Sequence, residues 1–228
     1  KSTIRNSKEV LLIMTYLQLV NSVLRRLREE EVESVNQNSY SKLIGEFVSD
    51  AKRIVEDAWD WSSLRTTLTV VTTPNVFSYG LAGSGSALKE LDVVNDTSNR
   101  FMKIATSRWM DNAFLNGEAP VGPPEYYSWN GFTEEGYAIV DMYPIPDTAY
   151  NIRFNVVNRT AAFTEDSQVL NVPSSPVIQL ATALGARERG ETGGTSAAEL
   201  FGLADRALSD AIALDAARHP EETIWTVV

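Results

Sequence analysis

The chain has 228 residues, is 43% hydrophobic and 22% charged, and carries a formal net charge of −10 with a pI near 4.7. That composition predicts a soluble globular protein, and the acidic balance argues against a grip on nucleic acid by phosphate neutralisation, which needs clustered Lys and Arg. The lack of cysteine excludes disulfides and thiolate chemistry, and the apolar run at 10–14 is too short for a membrane span or a signal h-region. Residues 1–14 read as an N-terminal extension, with a tag remnant, an upstream start and a real arm all left open. Beyond it, Leu17, Val20, Val23, Leu24 and Leu27 recur at three- and four-residue steps, while Gln18, Asn21, Arg25, Arg28 and Glu29 fill the other side. This predicts an amphipathic helix. Asn38 or Ser39 caps a second one, whose apolar face is Tyr40, Leu43, Ile44, Phe47, Val48, Ala51, Ile54, Val55 and Ala58. The polar link over 29–38 predicts an antiparallel pair. Trp59 and Trp61, where the helical pattern stops, read as a plug in its core.

From Arg65 the period changes to two, and Thr73-Pro74-Asn75 interrupts a β-branched run, so residues 65–81 predict a β-hairpin. Gly80, Gly83 and Gly85 lack both the Gly-Lys-Ser/Thr ending of a phosphate loop and the dinucleotide spacing, and read as a loose loop. Strands are expected over 88–95 and 101–104, then a short helix capped by Thr106 through Trp109, Met110, Ala113 and Phe114. Three prolines and two glycines make 117–124 a loop. Strands over 126–132, 137–143 and 149–157 follow, the last two joined by Pro144-Ile145-Pro146-Asp147, for a small antiparallel sheet or sandwich. The YYSWNGF stretch at 126–132 is aromatic enough for a sugar platform, but aromatic strands more commonly serve as core or subunit interface. A third long helix opens at Ser174-Ser175-Pro176, with serine capping and proline in the first helical position, and ends near Gly190. After a Gly193-Gly194 turn, Ser196 and Glu199 match a capping box for a last helix carrying Leu200, Leu203, Ala204, Ala207, Leu208, Ala211, Ile212 and Leu214.

The expected fold class is α+β: a four-helix body made of two N-terminal helices (15–64) and two C-terminal helices (174–217), with an inserted antiparallel β-domain (65–173) and a tail (218–228). Pro220 stops the last helix, and Ile224, Trp225, Val227 and Val228 return apolar surface to the terminus. The tail either folds back on its own subunit or docks on a partner. The single histidine, His219, rules out a histidine triad or a multi-histidine metal site within one chain. Glu29, Glu30, Glu31 and Glu33, with Asp57 and Asp60 flanking Trp59, are the candidate carboxylates for a glycosidase-like pair, but acidic runs at helix ends usually face water. No cofactor or metal is expected.

The opening TYLQLVN with its following LR and E, the AWDW corner at 58–61, and VPSSPVIQLA leading to ERGE carry a resemblance over residues 15–225. They resemble the tail tubular protein A type of head-to-tail adaptor of short-tailed bacteriophages. The resemblance implies a structural virion protein of the viral tail without enzymatic activity. It implies a homo-oligomeric ring of twelve copies, with the portal protein on one side and the tail nozzle protein on the other. The ring lines part of the DNA ejection channel, and the acidic charge suits a conduit that DNA passes without tight binding. In that setting Pro220, Ile224, Trp225, Val227 and Val228 are the candidate portal-docking residues. No membrane is involved. The rival readings are a tail-associated polysaccharide-active enzyme and a carbohydrate-binding module.

Overall fold

The computed structural model describes residues 14–85, 88–115, 117, 119–190 and 195–218, with the backbone alone at 195–197. In chain order the elements are α1 (Tyr16–Arg26), α2 (Ser39–Ala58), β1 (Arg65–Val71), β2 (Ser78–Gly80), β3 (Leu88–Asn95), β4 (Arg100–Phe101), β5 (Lys103–Ile104), α3 (Ser107–Leu115), β6 (Tyr126–Phe132), β7 (Ala138–Tyr143), β8 (Asn151–Asn158), α4 (Ser174–Glu188) and α5 (Thr195–Ala216). The fold is α+β. It divides into two compact units, one formed by the chain up to Ser63 and from Thr160 onward, the other by Leu64–Arg159.

In the helical unit α4 packs against α1, α2 and α5, and α1 packs against α2. Capping boxes open both N-terminal helices. Thr15 and Gln18 bond reciprocally in α1, and Asn38, rather than Ser39, does so with Ser41 in α2. The buried stripe of α1 runs through Tyr16, Leu19, Val20, Val23 and Leu24, while Leu17 is only half-buried, so the expected stripe is rotated by part of a turn. Gly45 makes the α1–α2 approach possible: a Cβ there would stand 2.3 Å from the Tyr16 hydroxyl and 2.8 Å from Val35 Cγ1. The link between these helices is not simply polar. Val32 and Val35 are buried, and the Asn21 side chain clamps Val32 by accepting from its amide and donating to its carbonyl, both at 2.9 Å.

The face expected of α2 is corrected at its end. Ile54 is 47% exposed and Ala58 lies in solvent, whereas Lys52 and Glu56 are buried. The reason is a polar strand of chain: residues 160–163 lie along this face and offer it carbonyls and a hydroxyl. The residues 160–173, read from sequence as part of the β-domain, are thus bonded to the helices. Gln168 O also accepts from the Tyr16 amide, and Phe163 stacks on Tyr16 at 4.7 Å. The two tryptophans separate as well. Trp61 is 1% exposed and is the core plug, while Trp59 is only half-buried. In α4 the N-cap is Pro173 with no side-chain cap bond, so the expected serine cap does not form, and Pro176 is buried within the first turn. The helix ends as expected at Gly190, which takes φ +78°. The capping box expected at Ser196 and Glu199 falls in part outside the described side chains.

The other unit is a pair of four-stranded sheets, ordered β1-β8-β3-β4 and β2-β7-β6-β5. Inward-facing Val70, Val93, Tyr127, Val140, Met142, Ile152, Phe154 and Val156 meet in one apolar core, with Met102 and Tyr150. The expected 65–81 hairpin does not exist: β1 pairs with β8 and β2 with β7, in different sheets. Thr72 decides this. Its amide donates to Tyr150 O at 2.9 Å and its hydroxyl accepts from the Tyr150 amide at 2.8 Å, which extends the β1–β8 ladder before the chain crosses over. The strand expected at 101–104 is likewise split, β4 closing one sheet and β5 the other, with Met102 buried between them. The β-unit is also not wholly antiparallel, because β5 runs parallel to β6. The strands expected at 126–132 and 137–143 do form, as β6 and β7, and pair antiparallel.

Candidate functional site

Of the candidate glutamates, Glu29 and Glu31 are held in ion pairs with arginines. Arg189 donates through Nε to the Tyr40 hydroxyl and through one terminal nitrogen to Leu27 O, both at 2.7 Å, and through the other to the Glu29 carboxylate. It thereby satisfies a carbonyl at the end of α1 that the helix itself leaves unpaired. Glu31 pairs with Arg25 at 2.7 Å, both exposed. Glu30, Glu33 and Asp57 lie in solvent, and Asp60 is half-exposed. Glu29, Glu30 and Glu31 line an open cleft of about 600 Å³ with Arg28 and Arg189. Among the described residues, no group of three or more His, Asp or Glu could hold a metal ion. No helix of the described residues is long and apolar enough to cross a membrane.

Two buried polar clusters have structural consequences that the sequence pattern did not reveal. Lys52 and Glu56 form an i,i+4 pair at 3.6 Å with both side chains almost fully buried. The Lys52 ammonium donates to Thr160 O and Ala161 O and sits 4.7 Å above the Phe163 ring, while Glu56 accepts from the Thr160 hydroxyl at 2.6 Å. Burial pulls the Lys52 pKa below its ordinary value, and Glu56 opposes the shift. At the corner after α2, Asp215 of α5 accepts from the Ser62 hydroxyl at 2.5 Å, the Ser62 amide at 3.0 Å and Trp59 Nε1 at 3.2 Å. Burial pushes this carboxyl up, but the Ser62 bonds, followed by Trp59 and Arg218, outweigh it and hold it below the usual carboxylate range. Trp59 is therefore a hydrogen-bonded lid on the α5 terminus, a role its neighbours in sequence do not announce.

A candidate contact surface lies in the β-unit, where α3 packs against β6. Tyr126 and Tyr143 are cross-strand partners on β6 and β7. Trp109 of α3 sits 4.7 Å from Tyr126 and 5.5 Å from Tyr143, and Phe114 bridges Tyr143 at 5.5 Å to Phe77 at 4.9 Å. These five rings form one continuous belt. Trp109 and Phe77 are each 40% exposed, and Leu115, next in sequence to Phe114, is 81% exposed. A contiguous aromatic patch of this kind marks an interaction surface more strongly than scattered apolar residues do. The YYSWNGF strand contributes in two directions: Tyr127 is buried in the core and Tyr126 belongs to the belt. The alternation of side chains along a strand explains the division, and neither it nor the contribution of α3 was drawn from the sequence.

His219 and the candidate docking residues Pro220, Ile224, Trp225, Val227 and Val228 lie outside the described residues. No curated protein matches the chain. A family model described as SU10 adaptor protein matches residues 14–223, nearly the whole chain, and the chain belongs to that family.

Proposed function

We propose, from its membership of the SU10 adaptor protein family, that this chain is a structural component of a phage virion at the head-to-tail junction and not an enzyme. The finer reading is an adaptor of the tail tubular protein A type: a closed ring of twelve copies between the portal protein and the tail nozzle protein, through which DNA is ejected. The observation that carries the reading is the family match over 14–223. The aromatic belt supports it, since a closed ring of identical subunits needs complementary patches on two different sides of each copy. In this reading α1, α2, α4 and α5 act as a four-helix body that also holds residues 160–173, and the inserted β-domain is the unit Leu64–Arg159, between the extension 1–14 and the tail 218–228. Pro220, Ile224, Trp225, Val227 and Val228 dock the portal, with Trp225 as the aromatic anchor. Twelve copies at −10 each bring about −120, so duplex DNA passes without adhering.

Mass measurement and imaging of the purified protein with portal-bearing heads test the proposal. The expected outcome is a closed ring of about a dozen copies seated on the portal vertex. A chain that stays monomeric both alone and with heads would overturn it. Removing 221–228 is expected to abolish head attachment and leave the melting temperature unchanged; unaffected attachment would remove the tail from the interface.

A further inference from the structure

The β-unit has a second feature that neither the belt nor the tail accounts for. At one end of its core the two sheets part, leaving a pocket of about 240 Å³ lined by Leu88 and Glu90 of β3, Trp129, Gly131 and Phe132 of β6, and Ala138 of β7. Both walls are irregular at this level, with register shifts between Glu90 and Asp92 and between Trp129 and Phe132. Bulges of this kind splay strands and re-aim side chains, and they are enriched beside binding sites. Gly131 takes φ +89°, and a Cβ on it would meet nothing within 4 Å, so the bulge opens onto free space.

The chemistry of the pocket is unusual for a core-facing position. Leu88 packs against the core, and by the two-residue period Glu90 points the same way, where an apolar residue is expected. Its Oε2 accepts from Trp129 Nε1 at 2.6 Å. Burial first, then the charge of Glu90 and a hydrogen bond to it, raise the pKa of the neighbouring Tyr127 hydroxyl, so Glu90 is held in place by both Trp129 and Tyr127. A half-buried carboxylate beside apolar side chains favours a cation over a neutral group, because it offers charge and acceptor oxygens with little competition from other polar side chains. Glu134 and Glu135 lie exposed at the tip of the β6–β7 hairpin, at whose base Phe132 and Ala138 line the pocket. The recess is smaller than the roughly 300 to 1,000 Å³ typical of small-molecule sites, and matches one long side chain. A sugar hydroxyl can also donate to Glu90, so a sugar is the competing ligand in the test below. An arginine fits better than a lysine: its stem packs on Leu88 and Phe132, its planar guanidinium stacks on an indole, and its fork meets a carboxylate with two donors.

We propose that the Glu90–Trp129 recess is a docking pocket for an arginine side chain presented by a partner protein. It rests on the adaptor reading only in that the arginine belongs to another chain; peptide binding is read apart from ring formation, so either can fail alone. The test titrates the full chain with acetyl-Leu-Arg-Leu-amide and with the same peptide bearing citrulline, following indole emission in the wild type and in Trp129→Phe. The expected result is a saturable change for the arginine peptide that is lost in Trp129→Phe. Affinity should be about tenfold weaker for the citrulline peptide and for Glu90→Gln, which keeps the shape and removes the charge. The exposed variant Phe132→Ala should also weaken binding while leaving the melt unchanged. Equal affinity for both peptides, no effect of Glu90→Gln, no saturable response, or a response to maltohexaose in place of the arginine peptide would each overturn the proposal.

Discussion

The helical unit and the β-unit both bury apolar cores, but they differ in the polar groups they bury with them. The helices are joined by polar clasps: Lys52 with Glu56 and the 160–163 segment, Asp215 with Ser62 and Trp59, Arg189 with Tyr40 and Leu27, and Asn21 with Val32. The β-unit closes on a core of apolar and aromatic side chains and buries Thr72, Ser84, Asn95, Ser128 and Asp141 as well, but its described residues include no buried ion pair like that of Lys52 and Glu56. Burying a charge adds little stability but fixes one arrangement, because every alternative leaves that charge unpaired. Burying apolar area stabilises without choosing finely among arrangements, and leaves polar or aromatic surface for partners.

Substitutions can break this comparison at its strongest point first. Trp61→Ala removes a fully buried indole and its 2.6 Å bond to Val55 O, and should cost about 5 kcal/mol in chemical denaturation. Trp59→Ala should cost about 2 kcal/mol, since its ring is half exposed and only one hydrogen bond is lost. Equal costs would mean that the corner has no distinct plug.

Lys52→Met strands the buried Glu56 carboxylate and should destabilise by about 3 kcal/mol, whereas Lys52→Met with Glu56→Leu should recover most of that loss. If the double variant is worse than the single one, the pair is a net source of stability and the positional argument fails.

Asp215→Asn should lower stability by about 2 kcal/mol at neutral pH, because charge-assisted bonds to Ser62 are weakened. The folded carboxyl titrates below its unfolded value, so its contribution is fully present above about pH 4 and is lost as the pH falls through the lower folded value. The difference in melting temperature between wild type and Asp215→Asn should therefore narrow below about pH 4. A difference that widens on acidification would contradict the clasp.

The smallest expected effect on folding is at the belt. Leu115→Asp should change stability by about 0.5 kcal/mol or less, as a surface substitution does, yet abolish assembly measured by sedimentation. Normal assembly by this variant would move the interface elsewhere.

The sequence by itself determined the elements and much of their facing. The 3.6-residue period located α2, the pair Asn38 and Ser39 marked its start, and Gly190 marked the end of α4. Such features are set by neighbours within one or two turns of chain, and local spacing encodes them. What only the tertiary structure decided was pairing across distance. The β1 strand passed over the nearby β2 for β8, because Thr72 found Tyr150. Lys52 could be buried only because Thr160, 108 residues away, offered a carbonyl, and Asp215 reached Ser62 across 153 residues. A buried charge or an edge strand takes its partner from whatever the fold brings alongside, and no periodicity in the chain records which partner that will be.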